Sequence, residues 1–325
     1  MPFRVLVTPR SFREQPGEHK RILREAGCVV VGSSEGRPLR AAEMVNLVGD
    51  VDGAIVGLDQ VNAEVIAAAP KLRVISKYGT GLDNIDLDAA TEAGIVVTYT
   101  PGANHVSVAE LTMGLMLALA RHIPQHNNRA KAGSWKRIWG MELAGKKLGI
   151  VGLGRIGMAV ACRARAFDMH VLYHDVSRRK EAEAESWLTY TELDALLAKS
   201  DFVSLHCSFT PEQGTMIGEA QLRVMKPTAY LVNTARGQLV DEMALAKALH
   251  DGWIAGAASD AFVNEPPVDS PLLALDNFVA SPHAGAVTCE SVRRMAVMAA
   301  RNAVLVLQDQ RPLAVANPAV YERSK

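Results

Sequence analysis

Apolar and polar residues follow two different periods along this chain. Short runs rich in β-branched residues (RVLVTP, CVVVG, GAIVG, RVISKYG and GIVVTY at 94–99) are separated by stretches whose apolar positions recur every three or four residues. Those stretches cover residues 17–26, AAEMVNLVG and AEVIAAAP. Strand and helix in alternation predict a parallel sheet covered by helices. The first hundred residues can close as one small α/β unit, ending at Pro101-Gly102. A long apolar helix follows in HVSVAELTMGLMLALARHIPQHNNRAKAG, with Ser107 as its cap and Glu110 completing a capping-box pattern. Its Met and Leu residues suit core or subunit-interface packing.

A second alternating run begins with a strand at 146–152 and a helical stretch, RIGMAVACRARAF. Between them Gly152, Gly154 and Gly157 form G-x-G-x-x-G. In that setting the glycines serve a tight turn, close backbone approach to a pyrophosphate, and close packing of helix on strand. The first N–H groups of the helix, at Arg155 and Ile156, would face the phosphates. A purely structural turn would also produce this pattern. The next strand, MHVLYHD, ends on Asp175, about twenty residues further on, where a carboxylate can accept hydrogen bonds from an adenosine ribose. This favours a dinucleotide, and NAD over NADP, because a carboxylate repels a 2′-phosphate. Arg178 and Arg179 lie just beyond, either as acceptors of such a phosphate or as a solvated loop.

Since a complete small unit precedes the glycines, the nucleotide domain is expected to be an insertion. Residues 101–286 form it. Residues 1–100 and 287–325 form a split substrate domain, completed by the returning helix VTCESVRRMAVMAARNAVLVLQDQ. The expected fold is α/β: two Rossmann-like, doubly wound parallel-sheet domains, the nucleotide-binding one inserted into a flavodoxin-like substrate domain. Ligands in such sheets bind beyond the carboxyl ends of the strands, which places the expected active site in the cleft between domains.

Composition narrows the classes. A length of 325 residues suits two cores. The chain is 49% hydrophobic and 22% charged, with 35 basic residues against 35 acidic ones, as in an ordinary soluble globular protein. Such balance argues against nucleic acid or an anionic membrane as partner. The N-terminus, MPFRVLVTPR, is broken by Pro9 and Arg10 before its apolar run reaches signal or membrane-span length, so a cytoplasmic protein is expected. Cys28, Cys162, Cys207 and Cys289 show no C-x-x-C spacing and are read as buried thiols, with no metal knuckle or redox pair.

After residue 200, the runs DFVSLHC, AYLVNTARG, AGAASDAF and FVASPHAG repeat a strand-and-turn pattern. Polar groups stand at their ends: Arg236, Asp260 with Glu265 soon after, and His283. Hydride transfer to a carbonyl needs a proton donor, a group to orient that donor, and a cation for an anionic substrate. His283 can protonate the developing alkoxide and remove the hydroxyl proton in reverse. Glu265 can accept from the other imidazole nitrogen, which would raise the imidazole pKa. Arg236 can hold a carboxylate in its planar fork. The alternatives are a structural histidine and a plain Arg-Gly turn. His122 and His126 have i, i+4 spacing without an evident third ligand, so no metal is expected. His206, beside Cys207, lines the nucleotide site at most.

Several longer segments resemble the D-isomer-specific 2-hydroxyacid dehydrogenases, nearest the phosphoglycerate dehydrogenase branch: KYGTGLDNIDLDAA, PGAN followed by SVAELTMGLMLALAR, ELAGKKLGIVGLGRIG, MKPTAYLVNTARGQLVDEMAL, and DAFVNEPP with SPHAG. Together they span nearly the whole chain. The resemblance implies NAD-linked interconversion of a D-2-hydroxy acid and its 2-keto acid, a split substrate domain, and a homodimer built around the inserted domain. It implies the Arg236, Glu265 and His283 roles above, a nicotinamide-carboxamide contact at Asp260, a cofactor contact at Thr234, and a substrate-carboxylate contact from the Tyr78-Gly79 backbone. There are departures. Cys207-Ser208 replaces leucine-proline, SDAF replaces LDVF, and His105 stands where a smaller polar residue is common. Lys77 occupies a position that is arginine in the phosphoglycerate enzymes, so it can serve an anionic substrate tail or be a solvated lysine. The residues after His283 leave no room for an amino-acid-sensing domain, so serine feedback is not expected.

The leading expectation is an NAD-dependent dehydrogenase of a small functionalised acid, such as 3-phosphoglycerate or glycerate/hydroxypyruvate. The same scaffold resembles NAD-sensing transcriptional corepressors, but their long extensions are missing here. A phosphite dehydrogenase would resemble L-K-G-F where this chain has K-Y-G-T.

Overall fold

Five strands near the N-terminus, β1 (Arg4–Val7), β2 (Val29–Gly32), β3 (Gly53–Val56), β4 (Val74–Lys77) and β5 (Val96–Thr98), pair in parallel in the order β2-β1-β3-β4-β5. This is the flavodoxin-type order. Strands β3, β4 and β5 are buried at every position, as expected for parallel strands covered on both faces, which is why they read as unbroken apolar runs. The computed structural model describes residues 2–32, 35–183 and 187–322. The chain divides into two compact units, Met1–Asn104 with Val287–Lys325, and His105–Ala286.

The C-terminal helix Cys289–Leu307 completes the first unit. Thr288 caps it, its hydroxyl accepting from Ser291 N at 3.2 Å. Ala296, Ala299, Ala300 and Ala303 are fully buried. These small side chains let the helix lie close to the sheet, where Ser76 of β4 donates to the Ala299 carbonyl at 2.9 Å.

The second unit holds β6 (Lys147–Val151), β7 (His170–His174), β8 (Leu188–Tyr190), β9 (Phe202–Leu205), β10 (Tyr230–Asn233), β11 (Gly256–Ser259) and β12 (Phe278–Ala280). All pair in parallel, in the order β12-β11-β10-β9-β6-β7-β8. This is the dinucleotide-binding order with one added strand, and its direction reverses between β6 and β9. One face packs Leu148, Ile150, Phe202 and Val232 with Ala109, Met116 and Ala120 of the helix His105–Ala120. The other buries Val203, Leu205, Leu231, Leu222 and Leu249.

Three expectations need correction. The helix after Asn104 begins at His105, so Ser107 is buried inside its first turn and is not its cap. It also ends early. His122 adopts φ 49°, and a second helix, Ile123–Lys131, leaves at 62°. Pro124 has no N–H to give the Ala120 carbonyl, and that carbonyl accepts instead from Met141 N at 2.8 Å. Finally, Cys162 and Cys289 are exposed. Cys162 lies on the outer side of a helix that buries Gly157, Val160, Ala161 and Ala164. Among the described residues no single helix is long and apolar enough to cross a membrane.

Candidate active site

The glycine turn follows β6 directly. Gly152 has φ 93°, a conformation that side chains strain, and a Cβ there would lie 2.7 Å from Cys207 N. A Cβ on Gly157 would lie 2.1 Å from the Gly152 carbonyl oxygen. Both positions therefore require glycine for packing. Gly154 differs, because nothing lies within 4 Å of its would-be Cβ. The space before the helix Arg155–Ala166 is thus open. The bond from Met158 N to the Gly154 carbonyl begins that helix, so the N–H groups of Arg155 and Ile156 have no helical carbonyl to meet and are available to an anion.

Two further groups sit by this turn. Asp175, just past β7, accepts from Leu153 N at 2.7 Å and Ser177 N at 2.9 Å. Each oxygen keeps a lone pair for a ribose hydroxyl. His206 follows β9, and its backbone carbon would lie 2.8 Å from a Cβ on Gly152. Its Nε2 lies 2.8 Å from Ser204 Oγ, and its Nδ1 is buried without a partner. Burial drives the His206 pKa down to about 3, so the ring is neutral. An open cradle at Gly154, uncommitted helix N–H groups and an orphaned imidazole nitrogen fit a bound dinucleotide.

At the ends of β10, β11 and β12 the structure brings Arg236, Glu265 and His283 together. Asn233 shapes the first turn: its amide donates to the Arg236 carbonyl at 2.8 Å and its Oδ1 accepts from Ala235 N at 3.0 Å. Gly237 lets this turn meet the next loop, since a Cβ there would lie 2.0 Å from the Phe262 carbonyl carbon. In that loop Glu265 Oε1 accepts from Phe262 N at 3.1 Å. His283 Nδ1 lies 2.9 Å from both Glu265 oxygens. A carboxylate can only accept, so Nδ1 carries the hydrogen and Nε2, without a partner among the described residues, is left to hold or give a proton. Burial pushes the Glu265 carboxyl up. The His283 hydrogen bond and charge, Phe262 N–H and the Arg236 charge outweigh this and hold it below the usual carboxylate range.

Asp260 and Thr234 flank this group. Asp260 is buried, and its carboxylate accepts from Ser281 Oγ, from Ala284 N at 2.8 Å and from Gly285 N at 2.8 Å. It fastens the loop that carries His283, a positioning role that the resemblance did not suggest. Thr234 Oγ1 lies 2.9 Å from Thr112 Oγ1, whose own hydrogen goes to the Val108 carbonyl. Thr234 therefore donates to Thr112 and keeps its lone pairs for an incoming amide.

In the first unit, Lys77 is 3% exposed. Its ammonium donates to the Gly57 carbonyl and to Asn84 Oδ1 at 2.6 Å. These bonds tie two loops together, and the burial corrects the solvated-lysine reading. Tyr78 N donates to the Val56 carbonyl at 2.8 Å and Gly79 N to Thr100 Oγ1 at 3.1 Å. Both N–H groups expected to meet a substrate carboxylate are already committed. The next two, at Thr80 and Gly81, have no partner among the described residues.

Residues 113–285, more than half of the chain, match the family described as D-isomer specific 2-hydroxyacid dehydrogenase, NAD binding domain. The chain belongs to the D-isomer-specific 2-hydroxyacid dehydrogenases. It is similar to the glyoxylate reductase of Thermofilum pendens, with 46% identity over 310 residues covering 93% of this chain and 91% of that one. It is also 44% identical over 294 residues to the D-3-phosphoglycerate dehydrogenase of Methanocaldococcus jannaschii, covering 89% of this chain and 55% of that relative. Its fold is similar to the NADPH-dependent glyoxylate/hydroxypyruvate reductase of Sinorhizobium meliloti, solved with NADP and malonate, with TM-score 0.86, 28% identity and 98% of each chain covered.

The protein is therefore an NAD-dependent 2-hydroxyacid dehydrogenase, and the corepressor alternative gains no support from these relatives. Among the described residues of this dehydrogenase no group of three His, Cys, Asp or Glu side chains is placed to hold a metal ion. Sequence reasoning missed Thr112, Ser204 and Gly237 as supports of the site. The first two are helix and strand interior positions with no local signal, while Gly237 could have been flagged by the Arg-Gly pair itself.

Proposed function

We propose that this dehydrogenase reduces a small 2-keto acid of glyoxylate or hydroxypyruvate size to its D-2-hydroxy acid. The observation that carries the proposal is the His283 Nδ1 to Glu265 pair at 2.9 Å, which fixes the tautomer and leaves Nε2 for the substrate oxygen. Gly152, Gly154, Arg155, Ile156, Gly157 and Asp175 would hold NAD, with Thr234 contacting its amide and Asp260 keeping the neighbouring loop in place. The bound nicotinamide supplies the hydride. His283 delivers its proton to the forming alkoxide, and Glu265 stabilises the imidazolium before that transfer. Arg236 holds the substrate carboxylate and polarises the adjoining carbonyl.

Two observations favour a small acid over 3-phosphoglycerate. Relatives named glyoxylate reductase are 46% identical to this chain over 310 and 327 residues. Lys77, the candidate counter-ion for a phosphorylated tail, is buried in hydrogen bonds of its own. NADH consumption with glyoxylate, hydroxypyruvate, 3-phosphohydroxypyruvate and pyruvate tests this. The first two should exceed the phosphorylated acid at least about tenfold in kcat/KM, a difference of ~1.4 kcal/mol in transition-state binding. A preference for 3-phosphohydroxypyruvate would return Lys77 to the substrate.

A homodimer is proposed as the working form. Trp135 and Trp139 are 79% and 96% exposed on one loop of the second unit, and large apolar side chains left in water mark a partner surface. Sedimentation should show a dimer that Trp139→Ser weakens; a monomeric wild type would refute this.

A further inference from the structure

Coenzyme choice in this site depends on where the arginines after Asp175 are held. Arg178 faces Glu183 along one edge of its guanidinium: Nε donates to Oε1 at 2.9 Å and Nη2 to Oε2 at 2.7 Å. Glu183 is itself fixed from below, because the hydroxyl of fully buried Tyr173 in β7 donates to Oε1 at 2.7 Å. That same hydroxyl accepts from Arg179 N at 3.0 Å. The Arg178 guanidinium lies 5.0 Å from the ring centre of Tyr190 in β8. It is thus clamped between a carboxylate and an aromatic face three residues beyond the carboxylate proposed to hold the ribose.

A 2′-phosphate at this position would need a counter-ion, and a guanidinium is the side chain best shaped to give one. Here the Nε/Nη2 edge of that fork is held by Glu183, whose carboxylate also balances its charge. We propose that Glu183 favours NAD by sequestering Arg178, so that a 2′-phosphate meets the Asp175 charge without that guanidinium to offset it. Two carboxylates then act in different ways. Asp175 repels the phosphate directly, and Glu183 withholds the residue that could offset that repulsion. The carboxylate at 183 stays ionised across the working range, since its bonds to Arg178 and Tyr173 outweigh its burial and hold its pKa at about 2.

This inference rests on the dinucleotide site proposed above, so its test reads binding without substrate. Calorimetric Kd values for NADH and NADPH would be compared in the wild type, Glu183→Gln, Arg178→Ala, Arg179→Ala and the Glu183→Gln/Arg178→Ala double variant, with Tm confirming folding. The amide introduced by Glu183→Gln retains an oxygen for the Tyr173 hydroxyl and loses the charge that pairs with Arg178. The expected result is NADPH binding about tenfold tighter in Glu183→Gln, NADH binding within about twofold of wild type, and no NADPH gain in the double variant. An unchanged NADPH to NADH ratio in folded Glu183→Gln would overturn the inference. So would a gain that survives Arg178→Ala, because the phosphate contact would then lie elsewhere, or a wild type that binds NADPH as tightly as NADH. If NADH bound but no keto acid were turned over, only the substrate proposal would fail.

Discussion

At the residue scale, the site is defined by which hydrogen bonds are already satisfied. His283 has one nitrogen fixed by Glu265 and one without a partner, so His283→Ala should reduce turnover by at least ~10³-fold while NADH Kd changes less than about twofold. Loss of NADH binding in a folded His283→Ala variant would move His283 into the cofactor site. Glu265 releases its proton more readily folded than unfolded. Its contribution to stability is therefore complete above the ordinary carboxylate pKa and is lost as pH falls through the lowered folded value. Glu265→Gln should have the shallower fall of Tm on acidification, and equal slopes in both proteins would show that the pair does not contribute to folding. The chemistry of Arg236, Glu265 and His283 was legible because strand ends gather polar groups on one rim of a parallel sheet. The committed state of Lys77, Tyr78 N and Gly79 N was not. It depends on Gly57, Asn84, Val56 and Thr100, which lie far away in sequence and leave no local pattern.

At the scale of elements, the glycines of one motif divide into two kinds. Gly157 is held by packing, and a methyl group there must move the Gly152 carbonyl, so Gly157→Ala should cost about 1–3 kcal/mol of stability. Gly154 faces open space. Gly154→Ala should therefore melt within a few degrees of wild type yet bind NADH at least about tenfold more weakly, because its methyl would occupy the space proposed for the pyrophosphate. Unchanged binding would place the phosphates elsewhere. The buried strands were readable from their β-branched runs. Strand β8 was not, since Leu188–Tyr190 is three residues long at the edge of its sheet. The break at His122 was missed because the apolar period of HVSVAELTMGLMLALA hid the consequence of Pro124, which appears only when the Ala120 carbonyl is followed to Met141.

At the scale of the whole molecule, one chain builds two parallel sheets, with orders of the flavodoxin and dinucleotide-binding types, and returns at Val287 to finish the first. The alternation of strand and helix announced both sheets, and the early strands before the glycine motif showed that it opened the second of them. The central claim is that His283 moves the proton. Its most direct test is the pH dependence of kcat/KM in both directions, with the same enzyme preparation and the preferred acid pair. Reduction should fall as pH rises and oxidation should rise over the same interval, because one direction needs the imidazolium and the other the neutral ring. Two profiles that run parallel would contradict the assignment and place the proton on another group.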